Sequence, residues 1–464
     1  MPRRASLIKA LKGRNPIAWD NPLGSLANNA PRPEGAEQGE LPEGWAHLTV
    51  GEVASNSCAS RAIATASSAG IPFIPMALLP QDGSVTTQWE LRKPEEVRSG
   101  IPFTDGDVLL AKITPCLENG KLGIARGVPG GWGMTLTEVY PLRPVKVTAE
   151  FLAAFLTQPA IRHVLASKMQ GATGRQRLPK EALDSFPISV PPLPEQRAIA
   201  EVLRTVQRAK EATEKVIAAT RQLKTSLMKH LFTYGPVPLQ RAALMPLKDT
   251  SIGSIPGHWH CPKLDGLLAA LYRYPSYYNI EYVEAGIPEV RGELLRENGE
   301  IETDMSLFRF IDPGTAKRFP KTTLDEGDLV MSVRGTMGKI GIVPPSLVGA
   351  NITANLIRLS PNRTKVLPAY LKFALLSPCF VRRLNELSPQ TTIKTIQAPV
   401  LRSIPISLPP RDEQEQIANE LTAVGAKLAA ENQRREALDV LFKSLLHHLM
   451  TAKLRLPEFA GGRT

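Results

Sequence analysis

Apolar residues along most of the chain come in short runs of strand length, closed off by glycine turns. Asp107-Val-Leu-Leu-Ala-Lys112 and Asp328-Leu-Val-Met-Ser-Val333 are the clearest, bracketed by Asp105-Gly106 and Glu326-Gly327. The spacing then turns helical over 150–170, with Phe151, Phe155, Ile161 and Leu165 near one face, and again over 368–387. A third pattern follows each of these. Ile199, Val202, Val206, Ala209, Thr213, Val216, Thr220, Leu223, Leu227 and His230 alternate steps of three and four, which predicts the seam of a coiled coil. Ile417, Leu421, Val424, Leu428, Glu431, Arg435, Leu438, Phe442, Leu445 and Leu449 repeat that rhythm. Both seams are polar in the middle, so neither helix is stable alone, and each is the obvious partner of the other.

The pattern recurs because the chain is an internal repeat. Phe186-Pro-Ile-Ser-Val-Pro-Pro-Leu-Pro-Glu-Gln196 returns as Ile404-Pro-Ile-Ser-Leu-Pro-Pro-Arg-Asp-Glu-Gln414. Upstream, Gly70-Ile-Pro72 matches Gly286-Ile-Pro288, and Gly120-Lys-Leu-Gly-Ile124 matches Gly338-Lys-Ile-Gly-Ile342. Leu41-Pro-Glu-Gly-Trp45 and Ile255-Pro-Gly-His-Trp259 open the two copies. A period of about 218 residues is too long for a solenoid unit and suits a domain plus a helix. The expected fold is therefore α+β, with two strand-rich globular domains in tandem and two long helices forming an antiparallel coiled coil. The expected boundaries are a flexible leader over 1–40, a first domain over 41–190, a joint and helix over 191–234, and a linker over 235–254. A second domain over 255–408, a joint and helix over 409–452, and a tail over 453–464 complete the division.

The proline box reads as a stiff joint, since proline cannot continue a helix backwards and restricts the residue before it. Glu195, and Asp412 with Glu413, then place carboxylates at the positive end of each helix. A helix of about 38 residues is on the order of 55 Å long. An antiparallel pair of that length would hold two domains apart by nearly two turns of DNA.

Composition narrows the function. The 464 residues carry a formal charge of +12, which suits a polyanionic partner, nucleic acid first. The 41 prolines imply sharp element boundaries. The four cysteines, Cys58, Cys116, Cys261 and Cys379, form no C-x-x-C pair, so the expected home is a reducing cytoplasm. His258, His260 and Cys261 cluster, but the first copy has Gly44, Ala46 and His47 there, which disfavours metal binding. No apolar stretch reaches the roughly 18 residues of a membrane span.

Two variable units, each closed by an I-P-I-x-(V/L)-P-P-x-x-E-Q box and a long helix, resemble the specificity subunit of type I restriction-modification systems. The resemblance covers residues 41–452. It implies that each globular unit is a target recognition domain for one half of a split, asymmetric site on double-stranded DNA. It also implies that the helices set the gap between half-sites and dock modification subunits, two of them by expectation. Those partners would carry S-adenosylmethionine and the N6-adenine methyltransferase chemistry, and restriction subunits would use ATP and Mg. The chain itself is expected to bind no cofactor and to catalyse nothing. It has no Asn-Pro-Pro-aromatic motif, no G-x-x-x-x-G-K-[ST] loop and no carboxylate pair followed by lysine.

Candidate DNA contacts fall in loops that differ between the copies. Lys112, Asn119 and Lys121 surround Ile113-Thr-Pro-Cys-Leu-Glu-Asn-Gly120, and the matching stretch of the second copy offers Arg334 and Lys339. Glycine lets backbone approach phosphate and the cations neutralise it; solvated hairpin lysines are the other reading. Gly171-Ala-Thr-Gly-Arg-Gln-Arg-Leu-Pro-Lys180 carries Arg175, Gln176, Arg177 and Lys180, with Gln390, Thr391, Thr392 and Lys394 as counterparts. Arginine can grip guanine edges and glutamine adenine edges. Tyr272, Tyr274, Tyr277, Tyr278 and Tyr282 suit either base stacking or ordinary cross-strand pairing. A free-standing DNA-binding regulator, or the recognition half of a bifunctional restriction enzyme, are the alternatives.

Overall fold

The computed structural model describes residues 41–57, 70–97, 99–172, 174–273, 280–334, 338–387 and 396–460. Its contacts group into two units, the first drawn from Met1–Leu203 with Ser444–Thr464 and the second Arg204–Lys443.

The first unit begins with β1 (Ala46–Thr49) and β2 (Ala54–Asn56), then β3 (Ile71–Ile74), β4 (Val85–Thr86), β5 (Glu90–Arg92) and β6 (Ile101–Thr104). It continues through β7 (Val108–Ala111), β8 (Leu122–Ala125), β9 (Trp132–Thr135) and β10 (Val139–Pro144) to helices α1 (Ala149–Thr157) and α2 (Pro159–Ser167). After β11 (Pro187–Val190), the long helix α3 (Leu193–Tyr234) starts. Two sheets form, ordered β2-β10-β7-β8-β4 and β5-β3-β9-β6, and β1 pairs with β11. Every residue of β7 and β8 is buried, which is why these strands read as continuous apolar runs rather than alternating ones.

The second unit repeats the plan. After the hairpin β12 (Leu247–Thr250) and β13 (Gly253–Pro256) come β14 (Leu268–Arg273), β15 (Tyr282–Val283), β16 (Ile287–Val290) and β17 (Arg309–Ile311). Then follow β18 (Leu329–Ser332), β19 (Ile340–Ile342), β20 (Asn351–Ile352) and β21 (Leu356–Pro361), helices α4 (Pro368–Leu376) and α5 (Pro378–Leu387), and the long α6 (Arg411–Met450). The sheets are β14-β21-β18-β19 and β15-β17-β16-β20. In each unit a parallel pair interrupts one sheet, β3 with β9 and β16 with β20, and in the first unit β4 also runs parallel to β8. A repeated ion pair also ties neighbouring strands of one sheet, β10 to the start of β7 and β21 to the start of β18. Arg143 Nε lies 2.6 Å from Asp107 and Arg358 Nε 2.6 Å from Asp328, both carboxylates buried.

Three expectations need correction. The helical pattern over 150–170 is two helices, as is that over 368–387. Pro159 and Pro378 each start the second of the pair, where a missing N–H costs nothing but an uninterrupted helix cannot pass. The linker over 235–254 is partly structured, because β12 and β13 pair from Leu247 to Pro256. The third correction concerns the α3 seam. Leu203 and Ile217 are buried, whereas Val216 and Leu223 are 40% and 55% exposed and Val202 is half-buried. The shared positions Ile199, Val206, Thr213 and Thr220 hold, but the residues between them lie one place further on. Three-then-four and four-then-three spacings both keep a seam, and only the partner's position decides between them. The same correction applies at the end of α6: Ile417 and Leu421 are fully buried and Val424, Leu428, Leu438 and Phe442 half-buried, but the next buried residue after Phe442 is Leu446 and not the expected Leu445, which is half-buried.

Within the second unit α3 and α6 run antiparallel. Lys210 lies 2.5 Å from Asp439 and above the Phe442 ring, while Met228, Leu231 and Phe232 share a core with Ile417, Ala418 and Leu421. Ile217→Ala should therefore cost about 2–4 kcal/mol of unfolding free energy, as a core truncation does. Val216→Ala should stay within about 0.5 kcal/mol. Denaturant titration of the two variants checks the register, and equal effects would contradict it.

The E-Q pair that ends each proline box has a specific task. Trp45 Nε1 donates to Glu195 Oε2 at 3.1 Å, and Trp259 Nε1 to Glu413 Oε2 at 2.8 Å. Gln196 Nε2 donates to the Pro191 carbonyl while its Oε1 accepts from Thr148 N, the cap of α1. Gln414 does the same with the Pro409 carbonyl and Leu367 N, at the cap of α4. The box thus joins the opening tryptophan, the first turn of a terminal-pair helix and the long helix. Glu195 also receives both Nε and Nη2 of Arg455, at 3.0 and 2.8 Å, in the same unit.

Candidate nucleic-acid interface

In the first unit the two candidate loops are one surface. Arg177 bridges in β fashion to Ile113 and to Gln170, Thr114 N donates to the Gln176 carbonyl, and Leu178 N donates to the Lys112 carbonyl. This pairing sets Lys112 and Lys180 over the Tyr140 ring, at 4.6 and 5.7 Å from its centre. Tyr140 is held by a hydrogen bond from its Oη to the Leu178 carbonyl at 2.8 Å. Arg175 and Asn119 stand exposed, and Gln176 is half-buried.

Not every candidate cation is equally available. Arg177 forks onto Glu138, with Nη2 at 2.7 Å, and the bond holds the Glu138 carboxyl below its ordinary range while raising the guanidinium. Lys180 is paired to Asp184. Lys121 points inward, its Nζ 2.6 Å from the Leu79 carbonyl, so it fastens the segment before β4 rather than facing out. Burial raises the Tyr140 phenol, helped by Glu181, Asp184 and Glu138. The sequence reading missed Tyr140 and Glu138, since both lie on or beside a strand whose partner loops are distant in sequence.

In the second unit a cavity of about 530 Å³ takes the corresponding place beside β18 and β19. Its wall includes the candidates Arg334 and Lys339 and also Tyr282, Glu289, Arg291 and Arg309. Lys339 N donates to Ser332 Oγ, which fixes the turn between β18 and β19. Arg309 stacks over the Tyr282 ring at 5.8 Å. Glu289 is 1% exposed and accepts from Tyr282 Oη at 3.3 Å. Burial pushes its carboxyl above the ordinary range, against the Tyr282 bond and the charges of Arg291 and Arg309. Arg273 guanidinium is drawn below its usual value by burial and by Arg334. Gln390, Thr391, Thr392 and Lys394 lie outside the described residues, as do Tyr274, Tyr277 and Tyr278.

The His258, His260 and Cys261 cluster is used for packing. His258 Nε2 meets Glu413 Oε1 at 2.7 Å, and the backbone of His260 pairs with Leu408. Among the described residues no three His, Cys, Asp or Glu side chains are grouped to hold a metal ion, and no helix is long and apolar enough to cross a membrane.

Residues 42–220 and 276–440 match the family model described as the type I restriction modification DNA specificity domain. Among curated proteins, the chain is 34% identical over 163 residues to the type I restriction enzyme EcoEI specificity subunit of Escherichia coli. That match covers 34% of this chain and 27% of the relative, so the chain spans under a third of that protein's length. The MjaVIII specificity subunit of Methanocaldococcus jannaschii is 26% identical over 296 residues, covering 63% of this chain and 67% of the relative. The solved structure of the type I restriction-modification system S subunit from M. genitalium has the same fold. It superposes with a TM-score of 0.54 at 14% identity, over 88% of this chain and 96% of that one. With both halves matched by the family model and the repeated scaffold in place, the chain belongs to the type I restriction-modification DNA specificity family.

Proposed function

We propose that the protein is the DNA-recognition subunit of a type I restriction-modification complex, reading a bipartite, asymmetric site and catalysing nothing itself. One observation carries this reading: the two units share the strand order β2-β10-β7-β8 and β14-β21-β18-β19 and the joint, yet differ in the cation-bearing surfaces around Tyr140 and around Glu289. Different surfaces on equal scaffolds suit two unlike half-sites. Phosphate contacts from Lys112, Arg175, Arg334 and Lys339 would anchor the duplex, and only some neighbouring groups would read bases.

The long helices would set the gap between half-sites and dock two modification subunits. Val216 and Leu223, exposed one heptad apart on α3, offer an apolar stripe to a partner helix, which disfavours a free-standing regulator. S-adenosylmethionine would belong to those partners, and ATP with Mg to any restriction subunit. The setting would be the cytoplasm.

Co-expression with an N6-adenine methyltransferase subunit, followed by methylome sequencing, tests the reading. The expected result is co-purification and a single split, asymmetric methylated motif. Failure to co-purify together with an unmethylated genome would overturn it. Arg175→Ala should weaken DNA binding while leaving the complex assembled.

A further inference from the structure

Glu289 sits where the fold does not require a carboxylate. Gly286-Ile-Pro-Glu289 repeats Gly70-Ile-Pro-Phe73, and the register agrees: Phe73 pairs in parallel with Met134, as Glu289 does with Asn351. On the other side Phe73 faces Glu90, and Glu289 faces Arg309. Phe73 is 3% exposed and packs with Ile71, Val97 and Met134. The same scaffold position is thus apolar core in one unit and acid in the other.

A buried carboxylate is costly unless it is compensated. Among the described residues, Tyr282 is its one hydrogen-bond donor. The side chain instead lines the 530 Å³ cavity, where Arg291, Arg309, Arg334 and Lys339 provide positive charge. That charge would draw the phosphates of a duplex in and would offset their repulsion by the acid. Arg291 Nε is buried there with no hydrogen-bond partner among the described residues.

We infer that Glu289 is a specificity-determining residue of the second unit, accepting a hydrogen bond from the exocyclic amino group of a cytosine in the major groove. An ionised carboxylate can only accept, so it selects an amino group. Cytosine offers N4 alone at that edge, whereas adenine sets the N7 acceptor beside its N6 amino group and would repel the acid. Tyr282 orients the carboxylate and the surrounding cations hold the backbone that brings the base to it.

The inference rests on the proposed function, and the experiment separates the two. Complexes carrying the unsubstituted chain, Glu289→Leu or Glu289→Gln are expressed with the methyltransferase subunit, checked for assembly, and read by methylome sequencing. Glu289→Leu removes the acceptor and is expected to reduce discrimination at one cytosine of one half-site by about tenfold or more. Glu289→Gln is expected to admit adenine at that same position, since an amide can serve N6 and N7 together. The other half-site and the gap should be unchanged. An unaltered motif with both variants overturns the inference, as does a uniform loss of methylation from a complex that still assembles. Absence of any methylation with the unsubstituted chain sinks the proposed function itself, and this assignment with it.

Discussion

Trp259→Ala is expected to lower the unfolding free energy of the second unit by about 3–5 kcal/mol, the range for removing a fully buried large aromatic. Trp259 is 0% exposed and packs in the core that holds Met228, Phe232, Tyr370 and Leu421. Its indole N–H ends on Glu413 in the first turn of α6, so the substitution removes packing and a polar anchor together. Trp259→Phe isolates the anchor and should cost roughly 1–2 kcal/mol, much of it from the half-buried Glu413 oxygen left without its donor. Hydrogen exchange in β18 and β21 measures both effects. Equal protection in the alanine variant and the parent would show that the joint holds nothing.

The second large effect is on DNA. Replacing Lys112 and Arg175 together by alanine should weaken duplex binding by about thirtyfold at 0.15 M salt, and should flatten the salt slope by roughly two. Each cation that meets a phosphate releases about one counterion, so the lost contacts act as equal decrements to the slope. Lys121→Ala is the contrast. Its ammonium is bonded to the Leu79 and Ala77 carbonyls, so that substitution should loosen the first unit and leave the slope unchanged. Fluorescence anisotropy across a salt series distinguishes the two variants. A Lys112→Ala, Arg175→Ala variant with the parental slope would remove this surface from the interface.

Much of the scaffold was legible because it is spelled twice. Gly106-Asp107 and Gly327-Asp328 mark the same turn into the same buried strand, and the two tryptophans that open the copies meet the two glutamates that close them. The seam of α6 was readable from spacing as far as Phe442, because its apolar positions there are large and regular, and was not at Leu445-Leu446, where two leucines stand side by side. That of α3 was not fully so: Val202, Val216 and Leu223 are as apolar as Leu203 and Ile217, and no local property says which side faces a partner. The sites were the least legible part. Lys112 and Arg177 belong to one surface only because the backbone around 113 pairs with that around 177, a contact with no sequence signature. Glu289 was passed over for a similar reason, as an isolated acid in a strand becomes informative only when its counterpart proves to be buried Phe73.

Arg455 carries a consequence for how the protein comes into being. The second unit is one continuous segment, Arg204–Lys443, while the first is assembled from residues on both sides of it. Glu195, 1% exposed, takes its guanidinium from a residue 260 positions downstream. During synthesis at about 5–20 residues per second, domains ordinarily mature in the order in which they emerge. Here that order is inverted: the unit translated first must wait, its Glu195 held by Trp45 without the guanidinium, until the other has been made in full. The ribosome starts with one unit and finishes the other before it.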